Sequence, residues 1–351
     1  MKRKLLSAII KSHSLIAELL NFHQILSLAK AQRLETFVQL LSETSHPKIT
    51  VKTNVTGNDL EKALHQAFIQ RITPMLRTIP TNLAKFIHTY YFKYEILNLK
   101  RIIQGKFNKI PTTQIMESLL PTESDETFNF TDLVKLQSVD EVITNLISTR
   151  STRFVLRSKY YELYHHYGEI WPLELSLNQG YATTLRNTVH ILPHQARAFI
   201  NKIIGVEIDV ENLLFAFKQK TTFNKIKYSY ELNDLFPVRY RLRLERIQEA
   251  IETEDIDTKG FIDTLPPPYT RILSPIYQGN ELLIIKQLRQ YIYDEARHQR
   301  LLNDYGHNVI LASIIYSEIE RNNLVGIAWG IAHNTPLDDI LRSIVPPYNI
   351  V

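Results

Sequence analysis

Apolar residues recur at helical spacing through most of this chain. In Tyr90–Lys106, Phe92, Ile96, Leu99 and Ile103 fall at i, i+4, i+7 intervals and predict an amphipathic helix. Pro111 follows, and proline at the start of a helix predicts a short second one. The same helix–proline–helix pattern is written near the other end, over Ile319–Ile331 and Pro336–Ile344. Wide apolar faces also predict helices over Leu60–Ile72, Gly180–Ile191 and Leu282–Tyr293. Irregular stretches are expected at Glu43–Asn58, Pro121–Asp132 and Glu252–Tyr269, the last containing Pro266-Pro267-Pro268, which neither a helix nor an inner strand accommodates. No alternating strand pattern of useful length is present. The expected fold class is all-α.

A short pattern, acidic-x-x-Asn-Leu, divides the chain. It reads Glu95-Ile-Leu-Asn98-Leu99, Asp209-Val-Glu-Asn212-Leu213 and Glu320-Arg-Asn-Asn323-Leu324, with the asparagines 114 and 111 residues apart. The flanks agree. Pro111 and Pro336 each stand thirteen residues after their asparagine, and Ile115, Leu119 and Pro121 correspond to Ile340, Ile344 and Pro346. The middle copy has Lys225 in place of the first proline and closes with Leu235-Phe236-Pro237. Leu146-Ile147-Ser148-Thr149 and Phe261-Ile262-Asp263-Thr264 precede their asparagines at similar distances, and Leu40-Leu41-Ser42-Glu43 is a blurred version before the first. Internal repetition at this period implies three helical modules, 1–121, 122–237 and 238–351.

At about 100° per residue, Glu95, Asn98, Ile102 and Lys106 form one narrow stripe along their helix. The middle copy repeats it as Asp209, Asn212, Ala216 and Lys220, whereas the third has Glu320 and Asn323 followed by Ile327 and Ile331, without the lysine. Two readings are open: each carboxylate and amide tie their helix to a neighbour, or three equivalent stripes line a central surface that grips a partner. Threefold use of one polar pair suits binding more than catalysis, which needs different residues in different roles.

Composition narrows the chemistry. With 44% hydrophobic residues the chain can bury a packed core, and only 10 glycines in 351 residues fit helices better than turn-rich sheets. It contains no cysteine, so disulfides, thiolate metal sites and thiol catalysis are excluded. There is no glycine-rich phosphate loop, no dinucleotide fingerprint and no nucleophile elbow. No catalytic residue, cofactor site or metal site is therefore nominated. His190 and His194 have metal-ligand spacing, but Pro193 between them breaks the helix that would aim both rings at one ion. His165-His166 read as a surface pair, and Asn54-Val-Thr56 and Asn129-Phe-Thr131 carry no weight as sequons without a secretory signal.

The run Leu324–Ala332 is far short of the ~20 residues of a membrane span, so Gly326 and Gly330 read as a close approach of two soluble helices. Membrane association is expected only through partners. The net charge of +5 is mild. Lys100, Arg101, Lys106 and Lys109 form a basic cluster, read as a solvated helix face; the alternative is a basic helical repeat protein that binds nucleic acid.

The segment Tyr91-Phe-Lys-Tyr-Glu-Ile-Leu-Asn98-Leu-Lys100 with Gln104-Gly105-Lys106, and Glu318-Ile-Glu320 before Asn323-Leu324, resemble a known signature. It is that of the family comprising the C subunits of archaeal and bacterial A/V-type ATPases and the d subunits of eukaryotic V-ATPases. The resemblance covers the full length. It implies a funnel-shaped single-chain ring of three pseudo-threefold-related helical modules with no cofactor and no bond-making step. It further implies a peripheral position at the cytoplasmic face of the membrane. There the protein would couple central-stalk subunits of the D and F type to the membrane proteolipid ring, for proton or sodium translocation, with the stator membrane subunit as a further candidate contact.

Overall fold

The computed structural model describes residues 2–52, 54–122, 128–148, 158–226, 232–253 and 257–347. Among them there is no strand, and eighteen α-helices account for most of the chain. The first sequence module holds α1 (Lys2–Ala17), α2 (Phe22–Ala29), α3 (Leu34–Ser42), α4 (Gly57–Leu76), α5 (Thr81–Phe107) and α6 (Thr112–Ser118). The second holds α7 (Phe130–Lys135), α8 (Val139–Ser148), α9 (Ser158–Tyr167), α10 (Trp171–Val189), α11 (His194–Ile226) and α12 (Leu232–Leu235). The third holds α13 (Leu244–Glu252), α14 (Thr258–Asp263), α15 (Tyr269–Leu273), α16 (Glu281–Leu302), α17 (His307–Ala332) and α18 (Leu337–Ser343), with a 3-10 turn at Ser274–Gln278.

Local chemistry sets the boundaries. Thr56 and Asp59 close a capping box that starts α4 at the end of the expected 43–58 linker, and Asn21 with Gln24 does the same for α2. Asn280 caps α16 by accepting the Leu283 N–H at 3.1 Å. Pro111 and Pro336, at φ near −54°, begin α6 and α18. Two spans differ from expectation. The helix predicted over Tyr90–Lys106 runs for 27 residues from Thr81, because Leu83, Phe86 and Ile87 extend its buried side further toward its start. The Glu252–Tyr269 linker houses α14, which is too short to show a period and is held by the buried Phe261 and Ile262.

The helices form two compact units: Met1–Ala84 with Pro193–Ile203 and Pro266–Val351, and Lys85–Leu192 with Ile204–Leu265. In the first, α17 is central. It is buried on nearly every face, its polar residues Glu320 and Asn323 included, and it packs against α1, α4 and α16. One core joins Ile25, Phe37, Leu60 and Leu64 from α2–α4 to Leu324, Ile327, Ile340 and Ile344 from the α17–α18 region. In the second unit a matching core joins Phe92, Leu99, Ile103 and Ile115 of α5–α6 to Leu133, Val142, Leu173 and Leu177 of α7, α8 and α10.

Candidate functional site

The three repeated asparagines lie at the ends of a common device. The Asn98 side-chain amide donates to the Leu120 carbonyl at 2.8 Å and its oxygen accepts the Leu120 N–H at 2.9 Å. Asn323 does the same to Val345, at 2.7 and 2.9 Å. Each clamped residue precedes a proline, Pro121 or Pro346, and so stands in the extended backbone that proline imposes on its predecessor. An extended residue presents its N–H and C=O to a partner that can both donate and accept, and a primary amide is the side chain that does both at once.

The middle copy reaches the same end by a relay. Asn212 donates to the Val238 carbonyl at 2.9 Å, while Gln179 donates to the Asn212 oxygen at 2.8 Å and accepts the Val238 N–H at 3.3 Å. Here the clamped residue follows Pro237, and the connection is longer by four residues than in the other copies.

The acidic position three residues earlier varies in use. Asp209, fully buried, accepts the N–H groups of Tyr240, Arg241 and Leu242 at 2.8, 2.8 and 3.0 Å. Glu320 pairs with Arg71 of α4 at 2.6 Å and accepts the Leu20 N–H at 2.5 Å. Burial raises the Glu320 carboxyl above its ordinary value, and the Arg71 charge and the Leu20 N–H oppose that rise. Glu95 is buried as well. Beside Glu320 lies a cavity of about 400 Å³, lined among others by Leu20, His23, Tyr293, Tyr316 and Val345.

Of the eight stripe residues, then, Glu95, Asn98, Asp209, Asn212, Glu320 and Asn323 are buried, and Lys106 and Lys220 are half-buried. Glu95, Asn98 and Lys106 lie in one unit with Asp209, Asn212 and Lys220; Glu320 and Asn323 lie in the other. Lys106 donates to the Val134 carbonyl at 2.6 Å. Arg101 donates to the Ser118 carbonyl. These bonds correct the reading of Lys100, Arg101, Lys106 and Lys109 as a solvated face: two of the four cations hold backbone of their own unit.

The glycine pair is corrected in half. A Cβ on Gly330 would stand 2.6 Å from Cγ1 of Ile340, so α18 crosses there at backbone contact, but Gly326 faces open space. The first copy repeats this, with Gly105 against Ile115 at the same 2.6 Å. Four residues after each glycine the chain turns left-handed, at Lys109 (φ 56°) and Asn334 (φ 53°). The Ile110 and Thr335 N–H groups then return to the Gly105 and Gly330 carbonyls at 2.8 Å, closing equivalent helix ends. The signal was in the sequence, as two glycines each seven residues after its asparagine. His190 and His194 fall outside one helix, since α10 ends at Val189 and α11 begins at His194. His165 lies 3.3 Å from Asp140 on the exposed side of α9. No group of three or more metal-ligating side chains forms among the described residues.

These features define an all-helical internal-repeat protein whose repeated polar residues fasten its own connections. The chain belongs to the ATP synthase (C/AC39) subunit family, whose sequence model matches residues 8–343. It is similar to the C subunit of the A-type ATP synthase of Methanocaldococcus jannaschii, 22% identical over 334 residues that cover 92% of this chain and 82% of that one. It is also similar to the C subunit of the A-type ATP synthase of Methanosarcina barkeri, 24% identical over 276 residues, 77% of this chain and 72% of the other. No single helix among the described residues is long and apolar enough to cross a membrane.

Proposed function

We propose that this chain is a non-catalytic rotor component that couples the central stalk of a rotary A/V-type ATPase to its membrane proteolipid ring, from the cytoplasmic face. Family membership supports the complex. The observation that carries the coupling role is the phase of the cores. The closing helices of module 1, α5 and α6, share a core with the opening helices of module 2. The motif helix of module 2 reaches the opening of module 3 through Asp209 and through the edge-on pair Phe217–Phe261, with ring centroids 5.7 Å apart. The closing helices of module 3, α17 and α18, share a core with the opening helices of module 1.

Each module thus completes the next, and the third completes the first. This exchange supports the reading of three modules with boundaries near 121 and 237, and packed, glycine-poor helices suit a body that passes torque. Central-stalk subunits on one side and the proteolipid ring on the other are the partners such a body serves.

The test is a pull-down with the tagged chain from detergent-solubilised membranes of its source, at low and high salt. Recovery of ring and central-stalk subunits at both salts is the expected result. Recovery of nucleic acid alone, lost at high salt as phosphate contacts release counterions, would replace this reading with the helical-repeat nucleic-acid one.

A further inference from the structure

We propose that one end of the first compact unit is a docking surface for an anionic lipid bilayer, so that the chain touches lipid directly as well as its protein partners. This goes beyond the coupling role and does not depend on it.

Contacts along α1 fix which elements share that end. Ser12 donates to the Met75 sulfur at 3.2 Å and Lys11 to the Pro74 carbonyl at 2.9 Å, so the C-terminal end of α4 lies beside the middle of α1. His13 Nε2 lies 3.1 Å from the Asp304 carbonyl, and its ring is 6.4 Å from that of Tyr305, which places the α16–α17 turn there too. Leu6, Ile10 and His13 are spaced i, i+4, i+7 and so share one face of α1. His13 therefore joins the face of α1 that carries Leu6 and Ile10 to the turn that carries Tyr305, directly after Leu301 and Leu302.

These five apolar side chains are between 59% and 83% exposed. Scattered single leucines on a surface need no explanation, but five exposed apolar side chains gathered on two adjoining segments mark a binding surface. Its charge selects the occupant. Lys4 and Lys11 on α1 and Arg77, two residues beyond the Met75 that meets Ser12, are the cations of these segments. The carboxylate in the turn, Asp304, is already engaged by Arg300 at 3.0 Å. Protruding leucine, isoleucine and tyrosine together with these cations match the interface of a bilayer with anionic headgroups, where apolar side chains enter the acyl boundary and cations meet phosphate. An apolar protein surface would supply no anions to meet them.

Flotation of the purified full chain with vesicles tests this, using phosphatidylcholine alone and phosphatidylcholine with an equal part of phosphatidylglycerol. The wild type is expected to float with the anionic vesicles and to remain behind with the neutral ones. The double variants Leu6→Glu/Ile10→Glu and Leu301→Glu/Leu302→Glu each lower the bound fraction roughly tenfold or more, given the apolar area each withdraws. Leu282→Glu changes a side chain that is 69% exposed at the opposite end of α16 and leaves flotation unaltered. All these positions are exposed, and thermal melts matching wild type confirm that the variants fold.

Failure of the wild type to float, or an equal loss in Leu282→Glu, overturns the proposal. The same variants in the membrane pull-down separate the two readings. Loss of ring or stalk subunits in variants of a protein that never floats makes this a protein contact and overturns lipid docking while keeping the coupling role. Flotation as expected without any recovery of ring subunits keeps lipid docking and removes the coupling role.

Discussion

At the residue scale, the asparagines are the fixed points of the repeat because few side chains can do their work. Each spans an N–H and a C=O of one extended residue, and the clamp is buried at both ends. Removing the amide leaves two backbone groups that water cannot reach, each costing about 1–3 kcal/mol. Asn98→Ala and Asn323→Ala are therefore expected to destabilise the protein by about 2–4 kcal/mol each. The aspartate variants keep the acceptor, lose the donor, and set a carboxylate oxygen against a carbonyl, so they offer no rescue. Urea midpoints measured at unchanged slope check this, and losses below about 0.5 kcal/mol, the range of ordinary surface changes, would show that the clamps are incidental. The asparagines themselves were legible as a recurring pattern. Their partners were not, because a backbone group 22 residues away is not marked by its own side chain, and Gln290, which stands 33 residues before Asn323 as Gln179 stands before Asn212, donates to Asp294 and takes no part in a relay.

At the scale of elements, close packing explains what periodicity could not. The recurrence of apolar residues located α4, α5, α10, α16 and α17, since helical spacing sets which positions meet the core. Periodicity said nothing of where a short helix crosses a long one. That information sits in Gly105 and Gly330, where α6 and α18 approach to a distance that a methyl group would violate. Reading Gly326 and Gly330 together, as a four-residue motif, gives equal weight to one glycine in contact and one in open space. The two can be told apart. Gly105→Ala and Gly330→Ala force Ile115 or Ile340 aside, and overpacking of about 1–3 kcal/mol outweighs the better helix propensity of alanine. Gly326→Ala gains that propensity without a clash and is expected to stabilise by about 0.5–1 kcal/mol. Thermal midpoints of the three variants should thus move in opposite directions, and a common direction would contradict the proximity of α6 and α18 to these backbones.

At the scale of the whole molecule, each packed core draws on more than one copy of the repeat. The pattern acidic-x-x-Asn-Leu predicts modules that end near 121 and 237, yet the cores straddle those positions. Phe37, Leu41, Leu60 and Leu64 of module 1 pack on Leu324, Ile327 and Ile331 of module 3, and the buried Arg71–Glu320 pair joins the same two segments. A repeat search detects which residues recur and is blind to whether a copy packs on itself or on its neighbour. Residues 1–121 alone would leave the inner faces of α2–α4 exposed to water and the Arg71 cation without its carboxylate, so the apolar burial that holds α1–α4 together is lost. We expect the 1–121 piece to show no cooperative melt, and addition of the 238–351 piece to restore one, because that piece returns α16–α18 to α1–α4. Circular dichroism of the pieces, separate and mixed, measures this. A cooperative melt of 1–121 by itself would make the modules self-sufficient and remove the exchange between modules on which the coupling proposal rests.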